Sequence, residues 1–147
     1  NLVDHSIIQK LYEAHKAGVV VKLIIRGMFA LIPEIPEKNI KIEGIGVIDR
    51  YLEHSRIFYF YNSGKERVYL SSADFMERNL DRRVEIICPI YDIELKTQIK
   101  DILDIQWKDN TQARVLDNNL TNTYRKTDDT KEIQSQYEIY KFLGGNN

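Results

Sequence analysis

Four side chains of the kinds that handle phosphate groups lie close together in the chain: His54, Arg56, Ser72 and Asp74. A hairpin would make them neighbours in space. Ile57-Phe58-Tyr59-Phe60-Tyr61 and Arg67-Val68-Tyr69-Leu70 are aromatic and β-branched runs, as paired strands require. Asn62 to Glu66 between them is rich in turn formers. With Gly64 at the centre of the turn, Arg56 is expected opposite Ser72 and His54 opposite Asp74. Opposed side chains on one face stand about 5 Å apart at Cβ. The open end of the hairpin would then gather a base or nucleophile, a fixed cation, a hydroxyl and a carboxylate, a set that suits a phosphate site. A slip of one residue would send alternate members to the other face.

Each member also has an ordinary reading. His54 could be a surface or capping residue, and Arg56 a solvated charge at a strand end. Ser71-Ser72-Ala73-Asp74 reads equally as the cap of a helix. Arg78, Arg82 and Arg83 beside Glu77 and Asp81 suit a salt-bridged face. His5 and His15 fall on the polar side of a first helix, and the three histidines lack metal-ligand spacing. There is no glycine-rich phosphate loop, so any phosphate chemistry must rest on arginine and histidine.

The elements that position these residues can be read from the pattern. Asp4 caps a predicted helix with Ile7, Ile8, Leu11 and Tyr12 on one face, stopped by Gly18. Val19 to Ile25 reads as a strand covered on both faces, as in a parallel sheet, and it delivers Arg26 to its carboxyl end, where α/β sheets bind ligands. Pro33 and Pro36 mark residues 28–38 as a loop, and residues 39–48 suggest a strand with an irregularity at Gly44 and Gly46. Asp74 to Leu80 suits a short helical turn, and Val84 to Ile87 a buried strand closed by Cys88-Pro89. Asp92 caps a long helix with Leu95, Ile99, Ile102 and Leu103 as its buried stripe. Asp117-Asn118-Asn119 is turn-like. Thr130 caps a last helix with Ile133, Tyr137 and Tyr140 inward and Gly144-Gly145 as its stop. No cluster after Asp92 suggests catalysis.

Composition sets the outer bounds. A chain of 147 residues suits one domain, large enough to bury about 68–70% of its unfolded surface. Lys and Arg total 21 against 22 Asp and Glu, so net charge makes no case for nucleic acid or an anionic membrane. A lone Cys88 excludes an internal disulfide and a cysteine-based zinc site. No apolar run reaches the ~18 residues of a membrane span. The start Asn1-Leu2-Val3-Asp4 has neither an initiator methionine nor a basic leader, which is expected of a piece of a longer protein.

Longer stretches carry a resemblance. They are Asn1-Leu2-Val3-Asp4, Ala17-Gly18-Val19, Ile25-Arg26-Gly27-Met28, Arg50-Tyr51-Leu52-Glu53-His54-Ser55-Arg56, Tyr69-Leu70-Ser71-Ser72-Ala73-Asp74-Phe75-Met76, Arg78-Asn79-Leu80-Asp81 and Arg83-Val84-Glu85, on to Pro89. In these the chain resembles the carboxy-terminal catalytic domain of bacterial polyphosphate kinases, of the phospholipase D-like superfamily. The resemblance implies an α/β fold, one phospholipase D-like half with a mixed sheet flanked by helices, and residues 1–147 as a single such domain without its upstream domains. It implies reversible transfer of the terminal phosphate of ATP to polyphosphate, with Mg2+ arriving with the nucleotide, through a phosphohistidine on the preceding half. His54 looks like the second histidine, an acid or base beside the nucleotide phosphates. Arg26 and Arg83 look like phosphate-binding arginines. Arg56, Ser72 and Asp74 fall where such halves place the lysine, serine and asparagine of their signature. The implied partners are ATP or ADP, polyphosphate, the upstream domains and further copies in a homo-oligomer. The implied location is the cytoplasm, peripheral to the inner membrane in some settings.

The departures refine those roles. Arg56 keeps the charge of the signature lysine but gives up easy proton transfer. Asp74 brings a negative charge, so it is expected to orient His54 or Arg56 rather than bind phosphate. Glu37 stands where the family is associated with a serine, which weakens any contact from that loop. Two rival readings stay open: a phospholipase D-like phosphodiesterase or nuclease half, and a module that only binds polyphosphate.

Overall fold

The structure, a computed structural model, describes residues 1–127 and 131–144. Helix α1 (His5–Lys16) starts where the Asp4 carboxylate accepts from the Ile7 N–H at 2.9 Å, and it ends at Gly18, whose φ of +88° no side chain would favour. Its Ile7, Ile8, Leu11 and Tyr12 pack on Leu2, Leu31, Ile40 and Ile42, the larger of two core clusters. The amphipathic face read from the sequence is thus the one that is buried.

Strands β1 (Lys22–Ile24), β2 (Glu34–Ile35), β3 (Ile40–Lys41) and β4 (Glu43–Val47) follow. β1 and β4 pair in parallel, and β2 and β3 form a small hairpin around a tight turn at Pro36–Lys38. The strand expected over residues 19–25 is shorter. Its pairing starts at Lys22 opposite Glu43, and Val19 and Val20 are exposed at 53% and 82%. The irregularity expected at Gly44 and Gly46 is absent from the ladder: both lie within regular β4, and the break falls at Ile42. Gly46 suits a close approach, since a Cβ there would stand 3.0 Å from the Ile25 carbonyl oxygen and press on that backbone.

Strands β5 (Ile57–Phe60) and β6 (Arg67–Ser71) form the predicted hairpin. After helix α2 (Glu77–Asp81), strand β7 (Ile87–Ile90) joins β6 antiparallel. The strand expected at residues 84–87 is therefore three residues later, and Val84 is 99% exposed rather than buried. Pro89 lies inside β7 and is tolerated because β7 is an edge strand with no second ladder to supply.

Helix α3 (Ile93–Trp107) is capped by Asp92, whose carboxylate accepts from the Leu95 N–H at 2.9 Å. Of its expected stripe, Ile99, Ile102 and Leu103 are partly buried, while Leu95 is half exposed. Strand β8 (Ala113–Val115), which no sequence signal announced, pairs antiparallel to β4 and makes that sheet mixed, in the order β1-β4-β8. Helix α4 is Ser135–Phe142. The expected cap Thr130 and the stop residue Gly145 lie outside the described residues. Tyr137 and Tyr140 are about half exposed instead of inward.

The two three-stranded sheets are tied by the chain's first residues. Fully buried Leu2 bridges both Phe29, just beyond β1, and Phe75, just beyond β6. That tie brings the end of β1 beside the open end of the hairpin.

Candidate functional site

The hairpin does place a polar cluster at its open end, in a register one residue from the expected one. Ile57 pairs with Leu70, so Arg56 lies across from Ser71, whose N–H donates to the Arg56 carbonyl at 2.8 Å. The cause is the turn. Asn62, Ser63 and Gly64 all take left-handed φ values, +47°, +53° and +82°, which moves its centre half a residue ahead of Gly64. Ser72 is therefore not opposite Arg56. The strand also stops at Ile57, so His54 lies in irregular backbone and is not in register with Asp74.

Arg56 and Asp74 meet regardless. Arg56 Nε donates to Asp74 Oδ1 at 3.2 Å and Nη2 to Oδ2 at 3.1 Å, a bidentate pair. Asp74 also accepts from the Asn1 side-chain amide at 2.9 Å and the Asn1 backbone nitrogen at 3.1 Å. Burial pushes the Asp74 carboxyl up, but the bonds from the Arg56 and Asn1 side chains outweigh it and hold the group below the usual carboxylate range. Asp74 thus stays anionic and is fully spent. Asn1 Oδ1 in turn accepts from the Met28 N–H at 2.7 Å, and a Cβ at Gly27 would lie 2.3 Å from that oxygen and displace the Asn1 side chain.

Two arginines hold the carbonyls of the peptides that precede and follow His54. Arg26, delivered by β1, donates from Nη1 to the Glu53 carbonyl, and Arg56 Nη1 donates to the His54 carbonyl at 2.9 Å. One cation is thus held on the histidine's own carbonyl and the other on that of the residue before it. The Nε–Nη2 edge of Arg26 has no hydrogen bond among the described residues, so the edge that can grip an oxyanion side-on is available. Arg56 keeps one N–H on each Nη. The His54 side chain is exposed, and no described residue hydrogen-bonds its imidazole.

Ser72 faces the other way, toward the start of β7. Its hydroxyl donates to Glu85 and accepts from the Ile86 N–H at 3.0 Å. Asn79 of α2 donates to the other Glu85 oxygen at 2.7 Å. The Ser72 and Asn79 bonds, aided by the charges of Arg83 and Arg56, hold the Glu85 carboxyl below its ordinary value. Arg83 itself is exposed and reaches the cluster through its field rather than a contact.

The structure therefore brings His54, Arg26, Arg56 and Asp74 together, sets Ser72 on a branch with Glu85, and leaves Arg83 at the rim. Sequence reasoning gave no role to Glu85, Glu53, Gln106 or Gln136, which support the cluster. Glu53 accepts from Gln106 Nε2 and Gln136 Nε2, each at 3.1 Å. Those partners are 53 and 83 residues away, and no local pattern in one sequence could have announced them. Among the described residues, no group of three or more His, Cys, Asp and Glu side chains could hold a metal ion, and no helix is long and apolar enough to cross a membrane.

Known proteins share this fold and sequence. The family model described as polyphosphate kinase C-terminal domain 2 matches residues 1–136. The chain is 46% identical over 143 residues to a polyphosphate kinase of Klebsiella pneumoniae, covering 97% of this chain and 21% of that protein. It is 42% identical over 143 residues to that of Escherichia coli strain K12, again covering 97% of this chain and 21% of the relative. The crystal structure of polyphosphate kinase from Porphyromonas gingivalis superposes with a TM-score of 0.92 at 45% identity, covering 98% of this chain and 22% of that one. The chain thus spans about a fifth of the length of the relatives it matches.

Proposed function

The chain belongs to the polyphosphate kinase family as its C-terminal domain 2, and from that premise we propose that it is one half of a composite active site that moves the terminal phosphate of ATP to and from polyphosphate. The remaining domains of the complete polypeptide would supply the histidine that is phosphorylated. This domain supplies His54, with Arg26 and Arg83 as phosphate ligands, and acts in the cytoplasm.

One observation carries the reading: two arginines hold the successive carbonyls of Glu53 and the exposed His54, and one of them retains a free gripping edge among the described residues. Phosphoryl transfer needs positioned positive charge more than covalent chemistry. Arg26 can bind a phosphate oxygen while its Nη1 stays on the Glu53 carbonyl. His54 can then give a proton to, or take one from, the oxygen that leaves or attacks. Arg56 acts less as a phosphate ligand than as the brace between Asp74 and the His54 carbonyl. The near-neutral charge and the arginine in place of the signature lysine argue against a phosphodiesterase half.

The donor set does not suit a resident magnesium ion. Asp74 is spent on Arg56 and Asn1, and Glu85 on Ser72 and Asn79. Mg2+ would enter as part of the nucleotide complex, and no step here runs through it.

The test is His54→Ala in the complete polypeptide. ATP-dependent polyphosphate synthesis is expected to fall by about 10²–10⁴-fold, the range of a lost general acid–base, with the unfolding midpoint unchanged. Turnover at the wild-type rate would remove His54 from the mechanism.

A further inference from the structure

Residues 49–56 form no regular element, yet they carry the one histidine at the site. An irregular exposed segment has many conformations, and an acid or base works only when held within a fraction of an ångström of its target. The restraint on this segment comes from the far end of the chain.

Gln136, the second residue of α4, makes three hydrogen bonds to it. Its Oε1 accepts from the Tyr51 N–H at 2.9 Å, and its Nε2 donates to the Tyr51 carbonyl at 2.7 Å and to Glu53 Oε2 at 3.1 Å. The side-chain amide thus pairs with both backbone groups of Tyr51, as a neighbouring strand would. Gln106 of α3 holds the other Glu53 oxygen at 3.1 Å. Arg26 then takes the Glu53 carbonyl, so the residue before His54 is fixed through both its side chain and its backbone.

We propose that Gln136 is a positioning residue for His54: together with Gln106 it clamps Tyr51 and Glu53, and the clamp sets where the His54 imidazole stands. The proposal rests on the role of His54 given above. It assigns a function to the last helix, which carries no group that reaches the site itself.

A role in merely stabilising α4 makes different demands. Gln136 lies in the first helical turn, where glutamate is at least as favourable as glutamine because it complements the helix dipole. A structural role therefore predicts that Gln136→Glu is neutral. The clamp predicts harm: glutamate cannot donate to the Tyr51 carbonyl, and it sets a second carboxylate against Glu53.

The experiment measures ATP-dependent synthesis by the complete polypeptide, with kcat and the KM for ATP determined separately. Gln136→Ala should lower kcat by about tenfold and change KM by no more than about twofold, the signature of lost transition-state positioning. Gln136→Glu should lower kcat by about thirtyfold, and adding Glu53→Gln, which restores a donor–acceptor pair of reversed sense, should recover at least threefold. Unfolding midpoints, measured in parallel, should stay close to wild type. Unchanged kcat in Gln136→Glu, or a loss that Glu53→Gln does not relieve, would overturn the clamp while a collapsed His54→Ala left the histidine's role standing. Wild-type turnover in His54→Ala would instead overturn the role of His54 and the clamp with it.

Discussion

Two carboxylates draw on adjacent residues of one junction, where α3 ends and α4 begins, and they use it differently. Asp109 is fully buried and spends itself on backbone. Its Oδ1 accepts from the N–H groups of Thr111, Gln112 and Ala113 at 3.0, 2.7 and 3.0 Å, and its Oδ2 from Ser135 N–H at 2.7 Å. Glu53 is half-buried and is held by the side-chain amides of Gln106 and Gln136. A carboxylate ringed by backbone N–H groups fixes chain direction: it launches β8 and docks the start of α4. A carboxylate held by side-chain amides fixes a position that can be tuned one residue at a time. The first arrangement builds the fold, and the second aims the segment that bears His54.

The largest effect should separate the two. Asp109→Ala strands four backbone donors, two or more of them away from water, and is expected to cost about 4 kcal/mol of stability in urea unfolding. Glu53→Ala should cost less, about 2 kcal/mol, since it strands one buried amide, that of Gln106, while the amide of half-buried Gln136 can turn to solvent, yet it should reduce synthesis more than tenfold. Reversed stability costs would break the comparison, because Glu53 would then be the structural knot.

A smaller effect tests the brace on the other side of His54. Asp74→Ala leaves Arg56 without its bidentate partner, a loss of about 2–3 kcal/mol for hydrogen bonds to a charged group that is mostly out of solvent. Because Arg56 also holds the His54 carbonyl, kcat should fall as well. A stability loss with kcat intact would show that the histidine is aimed by the Glu53 side alone.

How much of this could be read beforehand follows from the range of each interaction. The caps Asp4 and Asp92, the face of α1 and the aromatic hairpin are local patterns, and all were legible. The meeting of Arg56 with Asp74 was legible for a reason that survived a wrong register: long side chains at the open end of a hairpin can reach past a one-residue slip, whereas the short Ser72 cannot and went to Glu85. The extended reading of residues 19–25 failed because apolar content marks a strand but not where its partner begins. Gln136 and the Asp109 bond to Ser135 were illegible because each reaches across the fold to backbone that any sequence would supply at those points.

The smallest expected effect is in acid, and it asks whether both knots are ionised. Burial pushes the Asp109 carboxyl up, but its backbone bonds from Ser135, Gln112 and Ala113 hold it below its ordinary value, and Asp74 is depressed in the same sense by Arg56 and Asn1. A carboxyl with a depressed folded pKa contributes stability that is fully present above its unfolded pKa of about 3.9 and is lost as pH falls through the folded value, because the unfolded chain takes the proton first. Stability should therefore be flat from neutrality to about pH 5 and then fall. At pH 3 each such carboxylate that is still ionised in the folded state has surrendered about 1.3 kcal/mol. Urea unfolding of Asp74→Asn at pH 7 and pH 3 should give an acid loss smaller than that of wild type by about that amount. An identical acid slope in the two proteins would mean that Asp74 is not held as an anion, and the brace on His54 would then have to come from neutral hydrogen bonds rather than an ion pair.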